Sequence, residues 1–441
     1  MNTKKRVHTQ SIFWLLVTIY MLFTHPCEAV TEQSVPADVT VEARQKAKIP
    51  LVICFLAQEA GTVAPLIPLL KRDFMFSGQI EVTDRTMVNK PSKKDIQQLF
   101  SAGYPLALFI TQGQKNSFEW RLFDTLQGTM VNGKRYIKRG YTVDGWAHNI
   151  ADSVWPTLTG QGAFFSAKIA YCKQVDLAKG KRAKHVYIAD YDGACEQVLV
   201  DLPTINVAPR WNSDVMNPLL FYSEYTNENI RLMSVDIYKK RRIASSFDGV
   251  NMLPAFSRDG KKVAYCASHG KGNCQVYYGD KGVFKKITDN KGNNISPSLF
   301  DDGSAIVFCS DFQTGQPQIY LYTVANELVE RVTEGGYCAS PQYCGIRHQI
   351  AYGKIDKGVM QLYVYDIGTK SHTRLTTDAG NKEEYSWSPC GNYLLFSVEQ
   401  GKSSRIAVLS LLTKERKYIT PENIYCSYPS WSPLYSTYMR A

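Results

Sequence analysis

The sequence predicts an α/β N-terminal domain followed by an all-β six-bladed β-propeller closed by the C-terminal strand. Three observations lead there. A segment recurs with a period near 44 residues. Each copy holds four short apolar blocks, the pattern of a propeller blade. The residues before the first copy alternate strand-like and helix-like patterns instead.

The first 29 residues read as an export signal. Lys4, Lys5 and Arg6 form a positive start, Ser11–Phe23 is apolar, and small residues precede a cut after Ala29. The mature protein is then expected to be periplasmic, with no membrane span of its own. Residues 30–45 are polar and without period, and are expected to form a flexible segment.

Residues 46–160 are expected to form the small α/β domain. Strands are predicted at Ile49–Leu56, Gly78–Thr83 and Tyr104–Thr111, and a hairpin at Phe118–Asp124 and Thr129–Lys138. A helix is predicted over Thr62–Arg72, shortened or distorted by Pro65 and Pro68. Ser92 is placed to cap a second helix, with Asp95 three residues on. Asp144 is read as the cap of a third, whose apolar stripe is Trp146, Ile150, Val154 and Leu158, with Trp155-Pro156 interrupting it.

Residues 161–441 carry the repeats. Pro209, Pro254, Pro297, Pro341, Tyr385 and Pro429 fall at intervals of 45, 43, 44, 44 and 44. Pro is expected at the start of each first strand, where its missing N–H is tolerated. Asp259-Gly260, Asp302-Gly303 and Cys390-Gly391 mark the tight turns that follow. Fourth strands are expected around Leu199, Ile243, Ile287, Val332, Leu375 and Ile419. The first copy lacks a first strand and the last copy has only a first strand, so the two ends together make the sixth blade.

The net charge of +11 falls to +9 without the signal and is spread over the chain, which argues against nucleic-acid binding. Ten cysteines remain in the mature chain. Cys172, Cys266 and Cys309 share a register in separate repeats and are not expected to pair, whereas Cys266 and Cys274 flank one turn and are possible cross-strand partners. No metalloprotease, nucleophile-elbow or phosphate-loop motif occurs, and no cofactor or metal is expected. His148, on an apolar helix stripe, reads as a structural histidine at a domain interface.

At the junction, Ala147–Asp152, Leu158-Thr159-Gly160, Gly162-Ala163-Phe164 and Ile169-Ala170-Tyr171 occur in an order that resembles the TolB family, periplasmic components of the Tol–Pal system of Gram-negative envelopes. The resemblance covers most of the mature chain. It implies a non-enzymatic, monomeric binding scaffold that holds a Pal-like peptidoglycan-associated lipoprotein at one propeller mouth. It also implies a contact with an inner-membrane Tol protein through the N-terminal segment, and roles in outer-membrane integrity, protein import and cell division.

The loops leading into the first strands line that mouth. They contain Asn206, Asn251, Leu253, Asn294, Ile295, Tyr337, Glu384 and Tyr425, a mixture of amide, apolar and aromatic groups suited to protein binding. The competing reading is a non-catalytic propeller module of an exported peptidase or carbohydrate-active enzyme. That reading requires clustered carboxylates or a metal constellation at a mouth, or an attached hydrolase domain; Glu383-Glu384 is the one pair of adjacent carboxylates at a mouth.

Overall fold

Eight apolar residues, IPLVICFL, make the first strand, β1 (Ile49–Leu56), and its last six side chains are buried. The computed structural model describes residues 48–113, 117–137, 142–246, 248–270, 272–280 and 282–434. The predicted signal and the segment 30–45 lie outside the described residues.

After β1 come α1 (Ala60–Val63), α2 (Leu66–Phe76), β2 (Ile80–Met87), α3 (Lys93–Ser101), β3 (Leu106–Gly113), β4 (Ser117–Asp124), β5 (Thr129–Ile137) and α4 (Val143–Thr159). The sheet order is β2-β1-β3-β4-β5, with β1 parallel to both neighbours and β3, β4 and β5 antiparallel. Successive side chains of a strand point to opposite faces. Leu51, Ile53 and Phe55 therefore pack with α2 and α4, while Val52 and Cys54 pack with Ile96 and Leu99 of α3.

The single helix expected over Thr62–Arg72 is two helices. Pro65 ends the first, and Pro68 falls in the opening turn of α2, where backbone N–H groups have no intrahelical partner anyway. Ser92 caps α3 as expected: its hydroxyl accepts from Asp95 N, while the Asp95 carboxylate accepts from Ser92 N at 2.7 Å. The cap of α4 is Thr142 rather than Asp144, because the Thr142 hydroxyl accepts from Gly145 N at 3.1 Å. Pro156 does not interrupt α4, which continues to Thr159 and ends at Gly160 with φ 70°.

The remaining strands form the β-propeller. They are β6 (Lys168–Asp176), β7 (Arg182–Asp190), β8 (Gln197–Val200), β9 (Ile205–Trp211), β10 (Leu220–Tyr225), β11 (Ile230–Val235) and β12 (Arg241–Ser245). Then come β13 (Asn251–Phe256), β14 (Lys262–Ala267), β15 (Gln275–Asp280), β16 (Val283–Lys286), β17 (Asn294–Leu299), β18 (Ala305–Ser310), β19 (Gln318–Thr323) and β20 (Leu328–Arg331). The last are β21 (Cys338–Cys344), β22 (Gln349–Asp356), β23 (Val359–Asp366), β24 (Ser371–Arg374), β25 (Asn381–Trp387), β26 (Tyr393–Gln400), β27 (Ser403–Ser410), β28 (Arg416–Tyr418) and β29 (Cys426–Trp431).

Strands β13 to β28 make four separate four-stranded antiparallel sheets in chain order. An eight-stranded sheet, β12-β11-β10-β9-β7-β6-β29 with β8 on β7, holds the others. Its two halves are joined by one bridge, Lys184↔Ile205. Thus β29, from the far end of the chain, pairs antiparallel with β6. Lys168 N donates to Ser432 Oγ at 2.9 Å across 264 residues. Strand β29 also meets its neighbours on both sides, since Trp431 N donates to Ser386 Oγ at 2.8 Å and Trp211 Nε1 donates to Ser430 O at 3.2 Å.

The expected fourth-strand residues Ile287, Val332, Leu375 and Ile419 lie just beyond β16, β20, β24 and β28. The threonine after each explains the recurrent motif. Thr288, Thr333, Thr376 and Thr420 accept from the backbone N–H of Val276, Ile319, Leu362 and Ile406 at 2.9–3.0 Å, replacing a ladder bond. Gly260, Gly303 and Gly391 adopt φ of 71–74°, as the tight turns require. All ten described cysteines are free thiols. The suggested Cys266–Cys274 bridge is not formed: Cys266 lies opposite Val276, and Cys274 precedes the strand.

One hydrophobic cluster runs from β1, α2 and α4 into the propeller, through Phe164, Phe165, Tyr191, Tyr393 and Trp431. Asp152 of α4 fixes the turn that joins them, accepting from Phe164 N, Phe165 N and Ser166 N at 3.0, 2.7 and 2.9 Å. Burial pushes its carboxyl up to about 6 despite those bonds. Beside it His148 is buried, with Nδ1 at 3.0 Å from Asp73 and Nε2 at 3.3 Å from Asp190. Tyr191 Oη donates to Asp73 at 2.8 Å. Burial alone would lower His148, but the hydrogen bonds to Asp190 and Asp73 outweigh it and push the imidazole up to about 10. Burial would raise Asp190, yet His148 and Lys168 hold its carboxyl well below the usual range.

Deleting residues 424–441 exposes the β6 edge, so the shortened chain should self-associate and melt at a markedly lower temperature; size exclusion and calorimetry check both. Because His148 binds its proton more tightly when folded, its contribution is complete below about pH 6.5 and disappears as pH rises through 10. Unfolding free energy should therefore fall between pH 7 and 10 by up to about 1.4 kcal/mol per pH unit from this group, and His148→Gln should flatten that slope in urea titrations.

Candidate functional site

Every inner strand of the propeller carries the same defect. At Ala208-Pro209, Leu253-Pro254, Ser296-Pro297, Ser340-Pro341, Glu384-Tyr385 and Tyr428-Pro429, two residues oppose one on the neighbouring strand. This corrects the expectation that each proline begins its strand. It sits inside the strand, in the unpaired part of a bulge, where no ladder N–H is required.

The residue before it is left-handed in all six strands, with φ of 53, 56, 54, 55, 61 and 55°. A non-glycine residue there costs on the order of 1 kcal/mol or more, so the surrounding pairing must impose it. All six residues line one cavity of about 270 Å³. The bulges therefore re-aim one residue per inner strand into the channel.

Four of the expected rim residues, Leu253, Ile295, Tyr337 and Glu384, line this cavity together with Met252, Met360, Tyr225 and Tyr428. Tyr337 is 36% exposed. Tyr425 is not among the lining residues; the Lys184 ammonium lies over its ring and over that of Tyr428, 5.2 Å from each centroid.

Asn206, Asn251 and Asn294 are 0% exposed and do not line the cavity. Their amides join neighbouring repeats instead. Asn206 Nδ2 donates to Lys184 O at 3.0 Å, Asn251 Nδ2 to Ile230 O at 3.0 Å, and Asn294 Nδ2 to Gln275 Oε1 at 3.0 Å. A buried amide left without such partners would be costly, which explains asparagine at this register. Lys382 occupies the same register in β25, also fully buried, and its ammonium donates to Ala379 O at 3.0 Å.

Glu384 accepts from Tyr428 N and, at 3.4 Å, from Ser397 Oγ. Burial pushes its carboxyl up to about 7. Burial, with Glu399 nearby, also raises Glu383. Sequence reasoning missed Tyr225, Met252, Met360, Tyr428 and Arg210. The repeat alignment contained the signal for Arg210, which stands where the other copies have Ala255, Ser298, Gln342, Ser386 and Ser430.

A second cavity of about 500 Å³ opens at the far ends of the inner strands, lined by Trp211, Phe256, Tyr343, Trp387 and Trp431 among others. Arg210 lines both cavities. Asp144, His148 and Asp190 come close enough to hold a cation, but both His148 ring nitrogens are already engaged, by Asp73 and Asp190. Among the described residues, no helix is long and apolar enough to cross a membrane.

The family model for the TolB beta propeller domain matches residues 155–435. Two curated proteins named Tol-Pal system protein TolB are similar in sequence. The one from Roseobacter denitrificans is 28% identical over 246 residues, covering 52% of this chain and 54% of that protein. The one from Gluconobacter oxydans is 27% identical over 240 residues, covering 54% and 52%. The matched region thus spans about half the length of these relatives. The crystal structure of TolB from Acinetobacter baumannii shares the fold with a TM-score of 0.75 at 24% identity, over 88% of this chain and 97% of that one. With well over half of its length matched by the family model, from α4 to beyond β29, the chain belongs to the TolB β-propeller family.

Proposed function

We propose that this chain is a periplasmic, non-catalytic scaffold of a Tol–Pal system that binds a peptidoglycan-associated lipoprotein at the mouth of the smaller cavity. The observation that carries the reading is the composition of that mouth. Leu253, Ile295, Tyr337, Tyr225 and Met252 give it an apolar and aromatic lining, to which Glu383 and Glu384 add two carboxyls. Apolar and aromatic anchors with a polar margin are what a protein contact of high affinity needs. The two named relatives support assignment to the same system.

Fold and domains enter the same proposal. We read the eight-stranded sheet as two blades joined by the Lys184↔Ile205 bridge, which gives six blades closed by β29, with a small α/β domain over residues 46–160 and the propeller over 161–441. The hydrogen bonds of β29 to both neighbouring inner strands support closure. An inner-membrane Tol protein would be met by residues 30–45, outside the described residues. Support of outer-membrane integrity and of cell division would follow from both contacts.

The proposal is tested by measuring affinity for the lipoprotein's soluble domain. Leu253→Asp and Tyr337→Ala should each weaken binding at least tenfold, the range of an anchor residue removed from a buried contact. Ile346→Asp, exposed at the opposite mouth, should leave it unchanged. Equal affinities for all three variants, or no binding by the unmodified protein, would refute the assignment of this mouth.

A further inference from the structure

The two cavities meet at Arg210, and we infer that the channel waist they share is a binding site for a small oxyanion, held by the Arg210 guanidinium and the hydroxyl groups around it. This goes beyond the proposed scaffold role and does not depend on it.

Arg210 is the one charged residue at its register of the six inner strands; the equivalents are Ala255, Ser298, Gln342, Ser386 and Ser430. A guanidinium has five N–H donors in a planar fork suited to two oxygens of one anion. Here it is half-buried and makes one hydrogen bond, Nη1 to Pro209 O at 3.0 Å. It makes no ion pair with any described carboxylate. Burial lowers its pKa, an effect that the nearby Glu384 carboxyl only partly offsets. Most of the fork is therefore open to the channel.

Hydroxyl groups stand at the equivalent register of other inner strands. Ser298 Oγ accepts from Tyr343 N at 3.0 Å, and Ser386 Oγ accepts from Trp431 N at 2.8 Å. Each oxygen is thereby fixed on the seam between repeats, while its own proton has no acceptor assigned. Both residues line the larger cavity with Arg210. On the other side Ser223, 0% exposed, lines the smaller cavity, and its Oγ has no hydrogen-bond partner. A buried hydroxyl without a partner is unfavourable and calls for a ligand group or water.

Arg210 thus shares the larger cavity with Ser298 and Ser386 and the smaller one with Ser223. Glu383 and Glu384 also line the smaller cavity; burial raises both carboxyls, that of Glu384 to about 7, which lessens the negative charge that an anion at Arg210 meets. An oxyanion at Arg210 would engage the open fork through two parallel N–H···O bonds. Access exists through either mouth.

The ligand chemistry is a carboxylate or a tetrahedral oxyanion, and its source is either a free inorganic anion or the carboxylate end of a peptide. Sulfate probes the first and N-acetylglycine the second. The experiment is calorimetric melting of the full mature chain at constant ionic strength set with sodium chloride. At ten times the dissociation constant, a one-site ligand should raise Tm by about 1–3 °C, saturably. A response to sulfate alone identifies the inorganic source, a response to N-acetylglycine alone the peptide source, and a response to both the general oxyanion site; each supports the inference provided Arg210→Gln abolishes it. Arg210→Lys keeps the charge but not the fork, and should bind at least threefold more weakly by titration calorimetry. A wild-type response retained in Arg210→Gln, or no response to either probe, overturns the inference.

Discussion

The antiparallel pairing of β29 with β6 is the constraint on which the propeller depends. It joins residues 264 apart, so the loop-closure entropy must be met by contacts made at that one place. The contacts are of two kinds. Backbone bonds saturate the edge of β6, which would otherwise stand open. Side-chain and backbone donors then connect β29 to β25 and β9. The same type of contact recurs between other repeats, where Tyr343 N meets Ser298 and Trp387 Nε1 donates to Gln342 O at 2.9 Å. The contacts of β29 with β25 and β9 therefore use no special chemistry, and are of the kind found between other repeats.

These seams also create the channel. The bulge in every inner strand leaves two residues without ladder partners and turns one of them left-handed. Proline is accommodated in the gap, and the strained residue is directed inward. Backbone strain, proline placement and cavity lining thus have one origin. The small residues of the next strand follow from it too. Gly353 leaves the space that the Tyr385 hydroxyl occupies: an added Cβ would lie 2.6 Å from that oxygen.

The junction between the α/β region and the propeller works differently, through charge in a dry environment. His148 lies between Asp73 and Asp190, and Asp152 holds three consecutive backbone N–H groups. Buried charges of this kind are costly unless every partner is present, so the geometry of the junction depends on all of them together. Around them Phe164, Phe165, Tyr191 and Trp155 pack edge to face at 5.4–5.5 Å. The expectation of a structural histidine at this place agrees with its burial and its two carboxylate partners.

The sequence by itself determined the elements whose signal is local or periodic. Strand β1 was legible because all its residues are apolar, the Ser92 cap because Asp95 stands three residues on, and the repeats because each copy reproduces the same turn chemistry. Leu253, Ile295, Tyr337 and Glu384 could be placed at a mouth for the same reason, since register alone fixes which loop leads inward. Only the tertiary structure decided what depends on a neighbour distant in the chain. It put the Asn206, Asn251 and Asn294 amides into contacts between repeats, moved the prolines from strand starts into bulges, and set Arg210 at the level where two cavities meet. Side-chain direction at an irregular strand position is imposed by the strands beside it, and no spacing along one strand encodes that.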